Sequence, residues 1–111
     1  MANAFKNRTL RQVGTSATPL GAAVASSTET TLIGMTISNI TSGVINVTVT
    51  LTDASAAVTH LVKDAPVPTG GSLIVLGGDQ KVCLITGDII KVTSNTANSA
   101  DVIMSFLEIT P

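Results

Sequence analysis

From Ile45 to Thr52 the chain alternates without a break: Ile45, Val47, Val49 and Leu51 are apolar, while Asn46, Thr48, Thr50 and Thr52 are polar. A period of two sends successive side chains to opposite faces of a pleated ribbon, so this run predicts a strand with one dry face and one wet face. Ile33, Met35 and Ile37 alternate with Gly34, Thr36 and Ser38 in the same way. Between them, Asn39-Ile40-Thr41-Ser42-Gly43 has the composition of a short turn, which predicts a hairpin.

Punctuation delimits further strands. The polar turn Asp53-Ala54-Ser55 precedes a run from Ala57 to Val62. The stretch from Asp64 to Gly71 holds Pro66, Pro68, Gly70 and Gly71 and reads as a connection, because proline has no amide to give a central ladder. Ser72 to Leu76, Lys81 to Ile85 and Ile89 to Ser94 follow, separated by Gly77-Gly78-Asp79 and Thr86-Gly87-Asp88. A strand from about Thr9 to Val13, and one near Ala22 to Ala25, would complete the count. Leu20 to Ala25 is the only stretch open to a helical reading, and it is too short to hold a helix on its own. Seven or eight short strands at regular spacing predict an all-β, single-domain antiparallel β-sandwich of jelly-roll type.

The run Val102-Ile103-Met104-Ser105-Phe106-Leu107-Glu108-Ile109 differs from the others, since both of its alternating sets are largely apolar. Such a strand is either covered on both sides within the domain or sits at a contact between molecules. Charged residues are 12% of the chain, about half of what the surface of a free monomer usually carries. The pattern therefore favours a protein that works assembled.

Charge is also unevenly placed. Lys6, Arg8 and Arg11 lie in the first twenty residues, which hold no Asp or Glu. The rest sums to −4, from Lys63, Lys81 and Lys91 against all seven acidic residues, consistent with −1 overall. This contrast predicts an extended N-terminal arm, residues 1–20, on a sandwich formed by 21–111. The arm would dock through Phe5, Lys6, Arg8 and Arg11 on a neighbouring subunit or particle surface. Met104, Phe106, Leu107 and Ile109 of the last strand are the other candidate interface residues.

Candidate chemistry is sparse. His60 and Cys83 are the sole histidine and cysteine, and no H-x-H, C-x-x-C or D-x-D spacing occurs, so no metal or cofactor is expected. Cys83 lies in Val82-Cys83-Leu84-Ile85, where a thiol is expected to pack as a small hydrophobe. No G-x-S-x-G elbow accompanies the one histidine, and catalysis is not expected. The glycine pairs lack the Lys and Ser/Thr of a phosphate loop and read as turns. Asp79, Asp88 and Asp101 are placed to cap turns. With Phe5 and Phe106 as the only aromatics, stacking on bases or sugars is not expected. Thr30 to Thr52 is uncharged but contains eleven Ser, Thr or Asn residues, which rules out a spanning helix there. Neither a nucleic acid nor a membrane is expected as partner.

The second half of the chain resembles small virion structural proteins of tailed bacteriophages, particularly those of cyanobacterial and marine hosts. The likeness rests on the Pro66-x-Pro68-x-Gly70-Gly71 loop, the Gly87-Asp88 corner before Lys91 to Ser94, and the final strand Asp101 to Ile109. It covers about the last 50 residues. The resemblance implies a non-enzymatic building block located in the virion and assembled in the host cytoplasm. A capsid decoration or cement protein on the major capsid protein is the first expectation and a neck or tail component (adaptor or fibre-attachment protein) the second; apart from the resemblance, a small ligand-binding β-sandwich outside the virion is the third. Analogy with symmetric capsid decorators implies a homo-oligomer, with a trimer favoured.

Overall fold

The computed structural model describes residues 2–76 and 81–110, and among them it contains strands and connections but no α-helix. In chain order the strands are β1 (Ala2–Val13), β2 (Thr18–Pro19), β3 (Glu29–Asn39), β4 (Ile45–Thr52), β5 (Val58–Val67), β6 (Ser72–Leu76), β7 (Val82–Leu84), β8 (Ile89–Ser94) and β9 (Ala100–Thr110). Sheet A has the order β1-β9-β3-β6, with β7 also on β3, and sheet B has the order β2-β8-β4-β5. All pairings are antiparallel. β6 pairs with Met35–Ser38 and β7 with Thr30–Leu32, so the two share one edge position in two pieces. Counted that way, eight strands wind through two four-stranded sheets in the strand order of a jelly roll.

The alternation read from the sequence sets the core. Leu32, Met35 and Ile37 of β3 and Val102, Met104 and Phe106 of β9 face Ile45, Val47 and Val49 of β4 and Ile90 and Val92 of β8, all buried. Leu20 and Val24 are drawn into the same cluster. Each such side chain contributes about 1.5–3 kcal/mol by leaving water. Among the described residues no buried side-chain polar atom lacks a hydrogen-bond partner.

Two turns show why particular residues stand where they do. Gly87 has φ +92°, a conformation that side chains disfavour, and a Cβ there would meet the Ala54 methyl at 2.5 Å. Asp88 holds the same corner, its carboxylate accepting the Ile85 amide at 2.9 Å. Asp101 likewise accepts the Gln12 amide at 3.0 Å, where an extra residue bulges β1 between Leu10 and Val13. Asp79 and the Gly77-Gly78-Asp79 turn lie outside the described residues.

Several expectations are corrected. β3 and β4 do not form a hairpin: they belong to opposite sheets, and residues 40–44 cross between them. Asn39 organises that crossing, donating from Nδ2 to the carbonyls of Gly43 at 2.7 Å and Val67 at 2.9 Å, while its Oδ1 accepts the Thr41 amide at 2.8 Å. Asp64 to Val67 is not a connection but the end of β5, because β5 is an edge strand where Pro66 leaves no ladder bond unmade. Ala22 to Ala25 is not a strand; Val24 exchanges backbone bonds with Asp88 and Gly87 as an irregular loop. Cys83 is exposed, because β7 turns Leu84 inward and therefore its neighbour outward. The segment expected to be an arm, 1–20, is from Ala2 to Val13 a strand of the sandwich itself, paired with β9 along nearly its whole length.

Candidate interaction surface

β1 carries its even and odd positions to different sides of sheet A. The register places Lys6 beside Phe106, Arg8 beside Met104 and Leu10 beside Val102, and these three β9 residues are buried in the core. Even positions of β1 therefore look to the inner side. Lys6 Nζ pairs there with Glu108 Oε1 at 2.7 Å. The Arg8 guanidinium carbon lies 4.9 Å from the centre of the Phe106 ring, and Nη1 donates to the Leu20 carbonyl at 3.2 Å. Gly21, with φ +86°, makes room for it: a Cβ at that position would stand 2.6 Å from Arg8 Nη1. Inward charges on an edge strand also discourage another strand from adding to it.

Odd positions of β1 look outward, and with them the outward sets of β9, β3, β6 and β7. In one row across the sheet stand Phe5, Leu107, Thr31 and Cys83; in another stand Thr9, Ile103, Thr36 and Ile74. Between them, Asn7, Ser105 and Gly34 form a row of small and polar groups. Ile109 extends β9 beyond Leu107, opposite Asn3 and Glu29. Phe5 is 79% exposed, Ile74 70% and Ile103 49%. Ile85, just past β7, is 63% exposed. At the far end, Arg11, Asp101, Thr36 and Ser38 line a shallow open depression of about 270 Å³.

The sequence-derived interface set therefore divides. Phe5, Leu107 and Ile109 share the outer face of sheet A, and Arg11 borders it. Lys6 and Arg8 are engaged within the fold by Glu108 and by the 20–22 backbone. Met104 and Phe106 are core residues, closed off from any partner by the second sheet. Ile74, Ile85 and Cys83 belong to the face but escaped the sequence reading. Parity was the usable signal: Ile74 shares it with exposed Ser72, and Cys83 and Ile85 have the opposite parity to inward Val82 and Leu84. His60 stands exposed on β5 of the other sheet, and among the described residues no three of His, Cys, Asp and Glu stand together.

The chain matches no family of known sequences and none of the curated proteins. Among solved structures it is similar to that of infectious bursal disease virus, Gt strain, over 97% of this chain and 30% of that chain, with 11% identity and a TM-score of 0.44. A structure of the Gx strain of the same virus is similar over 99% of this chain and 41% of that chain, with 10% identity and a TM-score of 0.36. The chain thus spans less than half the length of either, and a likeness so slight assigns it no role.

Proposed function

We propose that the protein is a non-enzymatic structural component of a bacteriophage virion, a decoration or cement protein bound to the head shell. The observation that carries this reading is the outward face of sheet A. Phe5, Leu107, Ile109, Ile103 and Ile74 make a broad apolar surface on a domain whose chain is only 12% charged. Soluble monomers seldom expose such a patch, and those that do use it to bind. The motifs of the phage resemblance fall on this framework: Lys91 to Ser94 lies in β8, and Asp101 to Ile109 makes up most of β9, the strand that supplies three residues of the face. Jelly rolls serve many unrelated purposes, so the fold lends the proposal no weight beyond the surface.

Mass spectrometry of purified particles tests it. The chain is expected among the virion proteins in hundreds of copies per particle. A dozen copies or fewer would move it to the neck or tail, the second place that the same resemblance allows. Absence from purified particles would overturn the virion reading.

A further inference from the structure

The outer face of sheet A complements itself. Large and small side chains alternate from strand to strand in the Thr9-Ile103-Thr36-Ile74 row. In the Phe5-Leu107-Thr31-Cys83 row the two large side chains occupy the β1 and β9 half, and the two small ones the β3 and β7 half. A two-fold axis running parallel to the strands, between β9 and β3, exchanges β9 with β3 and β1 with the edge made by β6 and β7. That operation sets Phe5 over the partner's Cys83 and Leu107 over the partner's Thr31. It sets Ile103 over the partner's Thr36 and Ile74 over the partner's Thr9. In these two rows every large side chain meets a small one, while at the end of the face Ile109 meets the partner's Glu29. An axis across the strands does worse, because it brings Leu107 onto the partner's Ile103.

We propose that two copies of the chain pair face to face through sheet A about this axis. Aligned packing of two sheets at about 10 Å is an ordinary arrangement that interdigitates side chains in this manner. Four strands at ~4.8 Å and about nine residues from Asp101 to Ile109 at ~3.4 Å give a flat footprint of roughly 600 Å² per copy. Both copies together bury roughly 1,200 Å², which is the lower end of the range for a specific interface. Two of the sheet edges, β1 and β5, are guarded against pairing. β1 turns Lys6 and Arg8 inward and is bulged near Gln12, and β5 carries Pro66 and register shifts opposite Val47 and Val49. Both are devices that keep an edge from pairing. The assembling unit is accordingly a dimer, in place of the trimer that analogy suggested. This gives to a second copy the face on which the virion reading rests, so that a dimer would meet a shell through another of its surfaces, and it is tested on purified protein without particles.

Sedimentation equilibrium of the full chain at tens of micromolar is expected to give twice the 11.2 kDa chain mass. Ile103→Thr and Thr36→Ile each disturb one side of a large-on-small contact and should weaken the dimer at least tenfold. The double variant Ile103→Thr/Thr36→Ile exchanges the two sides and should restore it. Thr50→Lys, on the outer face of sheet B, should leave the dimer intact, and far-UV circular dichroism verifies that every variant is folded. A monomeric or trimeric wild type overturns the proposal, and so does a folded double variant no better associated than the single ones.

Discussion

On the outer face of sheet B, Asn46, Thr48, Thr50 and Thr52 of β4 lie beside Thr93 and Lys91 of β8 and His60 of β5. The corresponding surface of sheet A holds Phe5, Ile103, Leu107, Ile109 and Ile74. Both sets are rich in β-branched residues, which suit a pleated backbone equally well. Strand propensity therefore does not separate the two faces. A threonine keeps the shape that a strand prefers while offering a hydroxyl to water, and an isoleucine offers only area to be covered. Val58, opposite Thr52 at a corner of sheet B, is the one exposed large apolar residue of that sheet among the described residues. The chain thus presents hydroxyls on one side and exposed apolar area on the other, with the same backbone preference beneath both.

The contrast between inward and outward positions is broken most forcefully on β9. Phe106→Ala should lower stability by about 3–5 kcal/mol, because the ring fills the centre of the sandwich and leaves a cavity. Urea unfolding followed by far-UV circular dichroism checks this, the chain having no Trp or Tyr to report. A loss below about 1 kcal/mol would mean that the two faces of β9 are not distinct.

A smaller effect is expected where β1 meets the core. Arg8→Ala should cost about 1–2 kcal/mol through the lost ring contact and charge-assisted bond. Gly21→Ala should cost a similar amount, from the left-handed backbone and the displaced guanidinium. Since both act on one contact, the double variant should fall short of the sum of the singles. Strict additivity would show that Arg8 is not held by the 20–22 turn. If Arg8 instead worked on the outer face, its removal would leave the unfolding midpoint unchanged.

Lys6→Ala should cost only about 0.2–1 kcal/mol, because its pairing with Glu108 is half-exposed. The difference from wild type should shrink in 1 M salt, where screening acts over about 3 Å. The smallest effect belongs to sheet B. Thr50→Val should move stability by less than about 0.5 kcal/mol while lowering the ammonium sulfate concentration at which the protein precipitates. A large stability gain would show that the wet face of sheet B is less hydrated than its threonines imply.

Much of the fold was legible in the sequence where the alternation was long and regular. Ile45 to Thr52 became β4 with the faces as read, and the doubly apolar run at Val102 to Ile109 became the central strand of sheet A. The pairing was less legible because it is non-local. A turn within a hairpin and a crossing between sheets have the same composition, and what decides between them is the Asn39 bond to the Val67 carbonyl, 28 residues away. β1 reads as an arm because its charge contrasts with that of the rest of the chain; Asn3 to Arg8 lacks β-branched residues, and its strand is imposed by β9 rather than by its own preference. Its parity was nevertheless available: Lys6 and Arg8 share it with Leu10, which predicts inward basic groups and an outward Phe5. Cys83 was misplaced because an apolar run hides its own alternation.

The place of β9 bears on how the molecule is made. It is the last of the nine strands in chain order, yet it lies between β1 and β3, so β1 has no partner and β3 is paired only with β6 and β7 until β9 is present. Ala2 meets Thr110 across more than a hundred residues, a separation that slows folding because the loop must close before its contacts form. A nascent chain therefore holds β1 and β3 apart, with their apolar sides unspent, until residues 100–110 leave the ribosome. Completion of sheet A therefore waits for residues 100–110, and a molecule shortened at β9 during synthesis lacks the strand that joins β1 to β3.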